Sequence, residues 1–142
     1  MKLLLCSLTA FFLMVFLFNP VIADNVSWNA DGDGLLWVDD NNWNTDSEPT
    51  SSDWALINGP GHTAKIRSGD SAICDKLRVA NSGNAELILE NRGSISIAGV
   101  AFRLALNSGG DGTFNMEGGT VTALSASLEI GYRAVGYVNQ TN

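Results

Sequence analysis

The feature that most constrains this chain is a succession of short apolar runs, recurring every 8 to 12 residues, that resemble one another at a fixed spacing. Trp54 to Ile57, Thr63 to Ile66, Leu77 to Val79, Glu86 to Leu89, Ser94 to Ile97, Thr113 to Met116, Thr120 to Thr122 and Leu128 to Ile130 are each bounded by Gly, Asn, Asp or Ser. Such spacing predicts strands, and an all-β chain. Gly99 to Leu106 is the one stretch that could also be read as a short helix.

The runs align with one another. At an offset of 24, Leu104 and Leu106 fall on Leu128 and Ile130, and Gly112, Thr113, Phe114 and Asn115 fall on Gly136, Tyr137, Val138 and Asn139. At an offset of 27, Leu77 and Val79 fall on Leu104 and Leu106, Leu87 and Leu89 on Phe114 and Met116, and Glu90 on Glu117. A one-residue adjustment brings Gly93 to Ser96 onto Gly119 to Thr122, so three copies of one unit are visible, the last interrupted at Asn142. A strand of three to five residues cannot bury a face alone. Coils stacked at about 4.8 Å would bury like residues on like residues. The expected fold is therefore a right-handed parallel β-helix, a β-solenoid with repeats of 24 to 27 residues; a β-sandwich is the alternative, although it requires no strand-by-strand similarity.

The rest of the chain divides around the repeats. Lys2, the apolar run from Leu3 to Phe18, and Val21 and Ala23 before Asp24 form the charged, apolar and small-residue regions of a secretory signal peptide over residues 1–23. The apolar run is shorter than the roughly 20 residues of a spanning helix. Residues 24–58 form a Trp-rich segment read as an N-terminal cap, and residues 59–142 form the solenoid, whose stop inside a repeat is read as a truncation.

Removing residues 1–23 takes one lysine and no acid, so 119 residues of net charge −8 remain, against −7 for the whole chain. That balance disfavours a phosphate-tracking nucleic-acid binder and any attraction to anionic lipid. Only Cys74 stays of the two cysteines, which leaves no intramolecular disulfide. Burial between strands is the expected state of that thiol.

The segment Trp28 … Trp37-Val38-Asp39-Asp40-Asn41-Asn42-Trp43 … Pro49 … Asp53-Trp54-Ala55-Leu56-Ile57 resembles the opening of large secreted bacterial β-helix proteins, which carry a W-x-D-x-x-N-W motif followed by a proline and a D-x-A-x-I strand. Gly110 to Val121 followed by Ile130-Gly131 is similar to their Gly-rich repeat unit. The resemblance implies a parallel β-helix exported to the cell surface or beyond, with an adhesive or structural role and no catalytic residues to transfer. The chain departs from that pattern in having no sorting segment or membrane anchor.

Four groups of residues are candidates for chemistry. Asn29, Asp31, Asp33 and Asp40 stand at positions 1, 3, 5 and 12 of an EF-hand-like spacing, with Gly34 at 6 and Leu36 at 8, so the loop Asn29 to Asp40 could bind calcium. It lacks the usual Glu at 12 and helical flanks, and an Asp/Gly turn between Trp-bearing strands is the simpler reading. Trp28, Trp37, Trp43 and Trp54 could form a platform for sugar rings or pack as a cap on the first coil. Glu90 and Glu117 should stack one coil apart, an arrangement open to glycoside hydrolysis but equally to a solvated face. His62, the single histidine, reads as an exposed turn residue. Asn25-Val26-Ser27 and Asn139-Gln140-Thr141 are glycosylation sequons, meaningful in a eukaryotic source.

The expectation is a non-enzymatic, secreted or cell-surface structural or adhesive protein that uses no cofactor, with calcium in the Asn29–Asp40 loop as an open question. The alternatives are a carbohydrate-binding module using the tryptophans and a polysaccharide-active enzyme using acids on a solenoid face. The expected partners are an extracellular polysaccharide or a second copy joined through the open C-terminal edge; neither nucleic acid nor membrane insertion after signal cleavage is expected.

Overall fold

The structure is a computed structural model that describes residues 23–141, so the signal-peptide reading falls outside the described residues except at Ala23. The described residues form a β-solenoid of about five turns, 50% of them in strands and 3% in helix. Ten strands build it: β1 (Asn25–Ser27), β2 (Trp54–Ile57), β3 (His62–Ile66), β4 (Ser71–Val79), β5 (Ala85–Leu89), β6 (Ser94–Leu104), β7 (Asp111–Met116), β8 (Thr120–Ala123), β9 (Ser127–Ile130) and β10 (Val135–Gln140). Every pairing between them is parallel.

Each coil has three faces. One is the ladder β3-β5-β7-β10. The other two share the long strands β4 and β6, which pair in two blocks separated by a register shift between Cys74 and Lys76. Ahead of that shift Ser71–Cys74, Ser94–Ile97 and Thr120–Ala123 stack; after it β2, Lys76–Val79, Ala101–Leu104 and β9 stack, with β1 on the outer edge of β2.

The interior is a set of columns. Ile57, Val79, Leu104 and Ile130 lie in register, as do Ala55, Leu77, Phe102 and Leu128 on the same face and Ala64, Leu87, Phe114 and Val138 on the opposite one. Strand alternation sends every second residue inward, and coil stacking then brings like onto like. Phe102 and Phe114 meet edge to face across the interior at 5.3 Å.

Two register expectations change. Leu77 pairs with Phe102 and Val79 with Leu104, two residues earlier than the offset of 27 placed them, and Leu104 pairs with Ile130. A slip of two keeps each side chain on its face, so apolar alternation cannot detect it. The deciding signal is the corner. Ala80 and Ala105 both take a left-handed backbone (φ 57°), with Gly131 (φ 67°) at the next equivalent place, and an alanine gives no sequence cue for such a turn. The offsets read for Gly112 to Asn115, for Leu87 and Leu89, and for Ser94 to Ser96 are those observed.

Gly99 to Leu106 is not helical; it holds the end of β6 and the corner after it, with Phe102 and Leu104 inside. Ser71 to Cys74, absent from the expected strands, forms the first half of β4 because Ala72 and Cys74 alternate inward as small, easily overlooked core residues.

Candidate functional site

The two ends of the solenoid differ. At the N-terminal end β1 pairs with the edge of β2, and Leu35 to Trp37 run along the edge of β3: Lys65 N donates to Leu35 O at 2.8 Å and Trp37 N to Lys65 O at 2.9 Å. Trp28, Trp37 and Trp43 are buried against the first coil, packed edge to face with centroids 5.0 Å apart for Trp28–Trp43 and 4.8 Å for Trp37–Trp43. Trp43 Nε1 donates to Trp37 O at 2.8 Å, whereas the Nε1 atoms of Trp28 and Trp37 are buried with no acceptor. None of these three indoles presents a face on which a sugar could stack. Trp54 alone of the four reaches the surface, and Lys76 Nζ and the Arg78 guanidinium lie over its ring at 3.9 and 4.7 Å.

The W-x-D-x-x-N-W motif closes on a buried amide. Asn42 is fully buried; its Oδ1 accepts from Gly32 N (3.1 Å) and Gly34 N (2.9 Å), and its Nδ2 donates to Asp33 Oδ1 (2.7 Å) and Leu36 O (3.0 Å). Four hydrogen bonds satisfy the side chain completely, which is what makes burying it tolerable. Asp33 Oδ1 also accepts from Leu35 N and Leu36 N, at 2.9 and 2.8 Å, and Asp39 accepts from Asp33 N and caps the short turn at Asp40–Asn42 through Asn41 N. Donation from Leu36 N, then Leu35 N and Asn42, holds the Asp33 carboxyl below its ordinary value; donation from Asp33 N, then Asn41, does the same for Asp39.

These bonds bear on the calcium reading. Asn29 and Asp31 bond each other, Asp33 faces Asn42, and Asp40 accepts from Glu48 N at 3.0 Å, so the four expected ligands are directed to different partners. Among the described residues no group of three or more His, Cys, Asp or Glu side chains is placed to hold a metal ion.

Glu90 and Glu117 follow the registered pair Leu89 and Met116 and so occupy equivalent places, but they do not act together. Glu90 turns to the preceding coil, accepting from Ser68 N at 3.1 Å and pairing with Lys65 at 3.1 Å; those contacts, Ser68 first, lower its pKa. Glu117 is exposed. His62 is half-buried and not an exposed turn residue: it opens β3, its ring lies against Gly59, and its Nδ1 is buried without a partner. Cys74 is buried, and burial pushes its thiol up to about 12, which leaves negligible thiolate at neutral pH.

At the C-terminal end the interior columns reach the surface. Phe102, Phe114, Met116, Leu128 and Val138 are among the residues lining an apolar hollow of about 270 Å³, and among the described residues seven of the ten exposed large hydrophobics fall between Leu124 and Val138. The sequence pattern does not reveal this hollow, because Leu128 and Val138 alternate like core residues and only the structure shows them exposed.

No family model matches the chain, and neither the curated proteins nor the solved structures include a significant match. The resemblance to secreted bacterial β-helix proteins therefore rests on the residues quoted for it.

Proposed function

We propose that this protein is a non-enzymatic structural or adhesive element of the cell surface or extracellular space, exported by residues 1–23. The observation that carries the reading is the use made of its polar side chains, which join one coil to the next. Thr63, Glu86, Asn115 and Asn139 form a ladder across four coils: Thr63 and Asn115 both donate to Glu86, and Asn139 donates to Asn115 at 2.8 Å. Asn58 accepts from Ser82 N, Asn107 donates to Asn81, and Ser94 donates to Ser71. Three of the candidate acids, Asp33, Asp40 and Glu90, hold loops and neighbouring coils. Side chains committed in this way stiffen a rod and display its outer faces.

The reading includes self-association through the C-terminal hollow, where Leu128, Ile130 and Val138 would be covered by a second copy. Export is tested by expressing the full chain in a secretion-competent host and sequencing the N-terminus of the protein found outside the cytoplasm. A mature terminus at Asp24 is expected. Retention in the cytoplasm with residues 1–23 intact would overturn the proposal.

A further inference from the structure

The face made by β2, the second half of β4, the end of β6 and β9 carries outward Trp54, Leu56, Lys76, Arg78, Ala101, Arg103, Ser127 and Glu129. It holds three cations and one carboxylate on a chain with 15 acids and only 8 bases. Arg133, over the Tyr132 ring at 5.4 Å, adjoins it beyond β9. Four of the seven basic residues that follow residue 23 thus gather on one side of an acidic molecule.

Glu129 pairs with Arg103 at 2.8 Å, but among the described residues neither Lys76 nor Arg78 has a carboxylate within salt-bridge distance. The nearest acids along the chain, Asp53 and Asp75, sit at the corners that begin these strand segments, and Asp53 is engaged by Thr50 and by Asp24 N. Instead the two cations rest on Trp54. An aromatic ring fixes the position of a cation without cancelling its charge, as a carboxylate would. Burial, and after it the charge of Arg103, lowers the Arg78 pKa, and the charge of Glu129 offsets this only in part. Past Arg103 the face opens into a polar hollow of about 470 Å³ lined by Arg103, Asn107, Glu129, Tyr132 and Arg133.

We propose that this ridge, from Trp54 through Lys76, Arg78 and Arg103 to Arg133, is a binding site for an anionic polysaccharide bearing carboxylates or sulfates. Arg78 and Arg103 are register partners on neighbouring coils, about 4.8 Å apart, a rise similar to the length of one sugar ring. Lys76 shares the coil of Arg78 and Arg133 lies past β9, so a polymer with one charge per ring can meet a cation on the coils of β4, β6 and β9. Tyr132 offers an exposed ring at the far end. A nucleic acid fits less well: its denser charge, about one per 1.7 Å in a duplex, would be brought against an acidic remainder with too few cations to compensate it.

The proposal deepens the extracellular reading by naming a ligand class, and its test is independent of export. The purified full chain is run in affinity electrophoresis through gels containing polygalacturonate, alginate, a sulfated glycan, neutral dextran or single-stranded DNA. Retardation by at least one anionic polysaccharide, relieved by salt, is expected, with none by dextran. The double variant Lys76→Gln/Arg78→Gln should weaken that binding by about tenfold, with circular dichroism and melting temperature unchanged; Arg133→Gln, at an exposed position outside the strands, supplies a second variant. Absence of binding to every polyanion, equal binding by parent and double variant, or retardation by DNA alone would each overturn the proposal.

Discussion

Asn42 shows how one polar residue can organise a segment that has little regular structure. It lies in the Trp-rich segment at full burial with both amide atoms doubly bonded, and it ties Gly32, Asp33, Gly34 and Leu36 to the turn that carries Trp43. Asn42→Ala strands two backbone N–H groups and one carbonyl, so a loss of about 3 kcal/mol is expected in urea unfolding, whereas Asn41→Ala on the exposed side should cost under about 1 kcal/mol. Equal midpoints for the two variants would refute the assignment. Asp33 and Asp39 add a pH dependence. Both carboxyls are held below their ordinary value near 3.8, so their contribution is fully present above about pH 5 and is lost as pH falls through the depressed values. Tryptophan fluorescence should report loosening of the Trp28–Trp37–Trp43 cluster in that acid range, and Asp33→Asn should be less stable at neutral pH and show a shallower acid dependence.

At the scale of the element, corners decide the register. Gly109 and Gly110 are adjacent in the corner before β7 yet are constrained differently. Gly109 has φ +92° with open space where a Cβ would go, while a Cβ on Gly110 would meet Gly83 O at 2.6 Å and Gly83 N at 2.9 Å, backbone of the coil below. Gly109→Ala should therefore cost about 1 kcal/mol of backbone strain, and Gly110→Ala more, about 2 kcal/mol or above, because two coils must separate. Thermal unfolding of the pair checks the order; the reverse order would mean that the coils are not in close contact there. The apolar alternation that made the strands legible was blind to corners occupied by Ala80 and Ala105, and for that reason the offset at Leu77 and Val79 was displaced by two residues.

For the whole molecule the asymmetry between its ends matters most. The Trp segment covers the first coil, and the last coil leaves Leu128 and Val138 about half exposed over Phe102 and Phe114. An open parallel edge above an apolar hollow favours chain-to-chain contact. Because the opposite end is covered, copies of the 142-residue chain joined through this hollow as proposed should stop at a dimer, with no route to an open filament. Light scattering at high concentration should find the dimer, and Leu128→Glu/Val138→Glu should return it to monomer with little loss of stability. A parent that stays monomeric would contradict this.

The sequence by itself determined the all-β class, the stacked repeat, the burial of Cys74 and the interior columns at β5, β7 and β10, because alternation and strand-by-strand similarity are properties of the order of residues. It also placed Glu90 and Glu117 at equivalent positions. What only the tertiary structure decided was what each polar or aromatic group faces. Asp33 and Asn42 are nine residues apart and hydrogen-bonded; Trp54 and Arg78 are separated by slightly more than a full coil and in contact. No local pattern records such meetings, since they depend on how many residues each corner absorbs, and an alanine in a left-handed turn can absorb one as a glycine does.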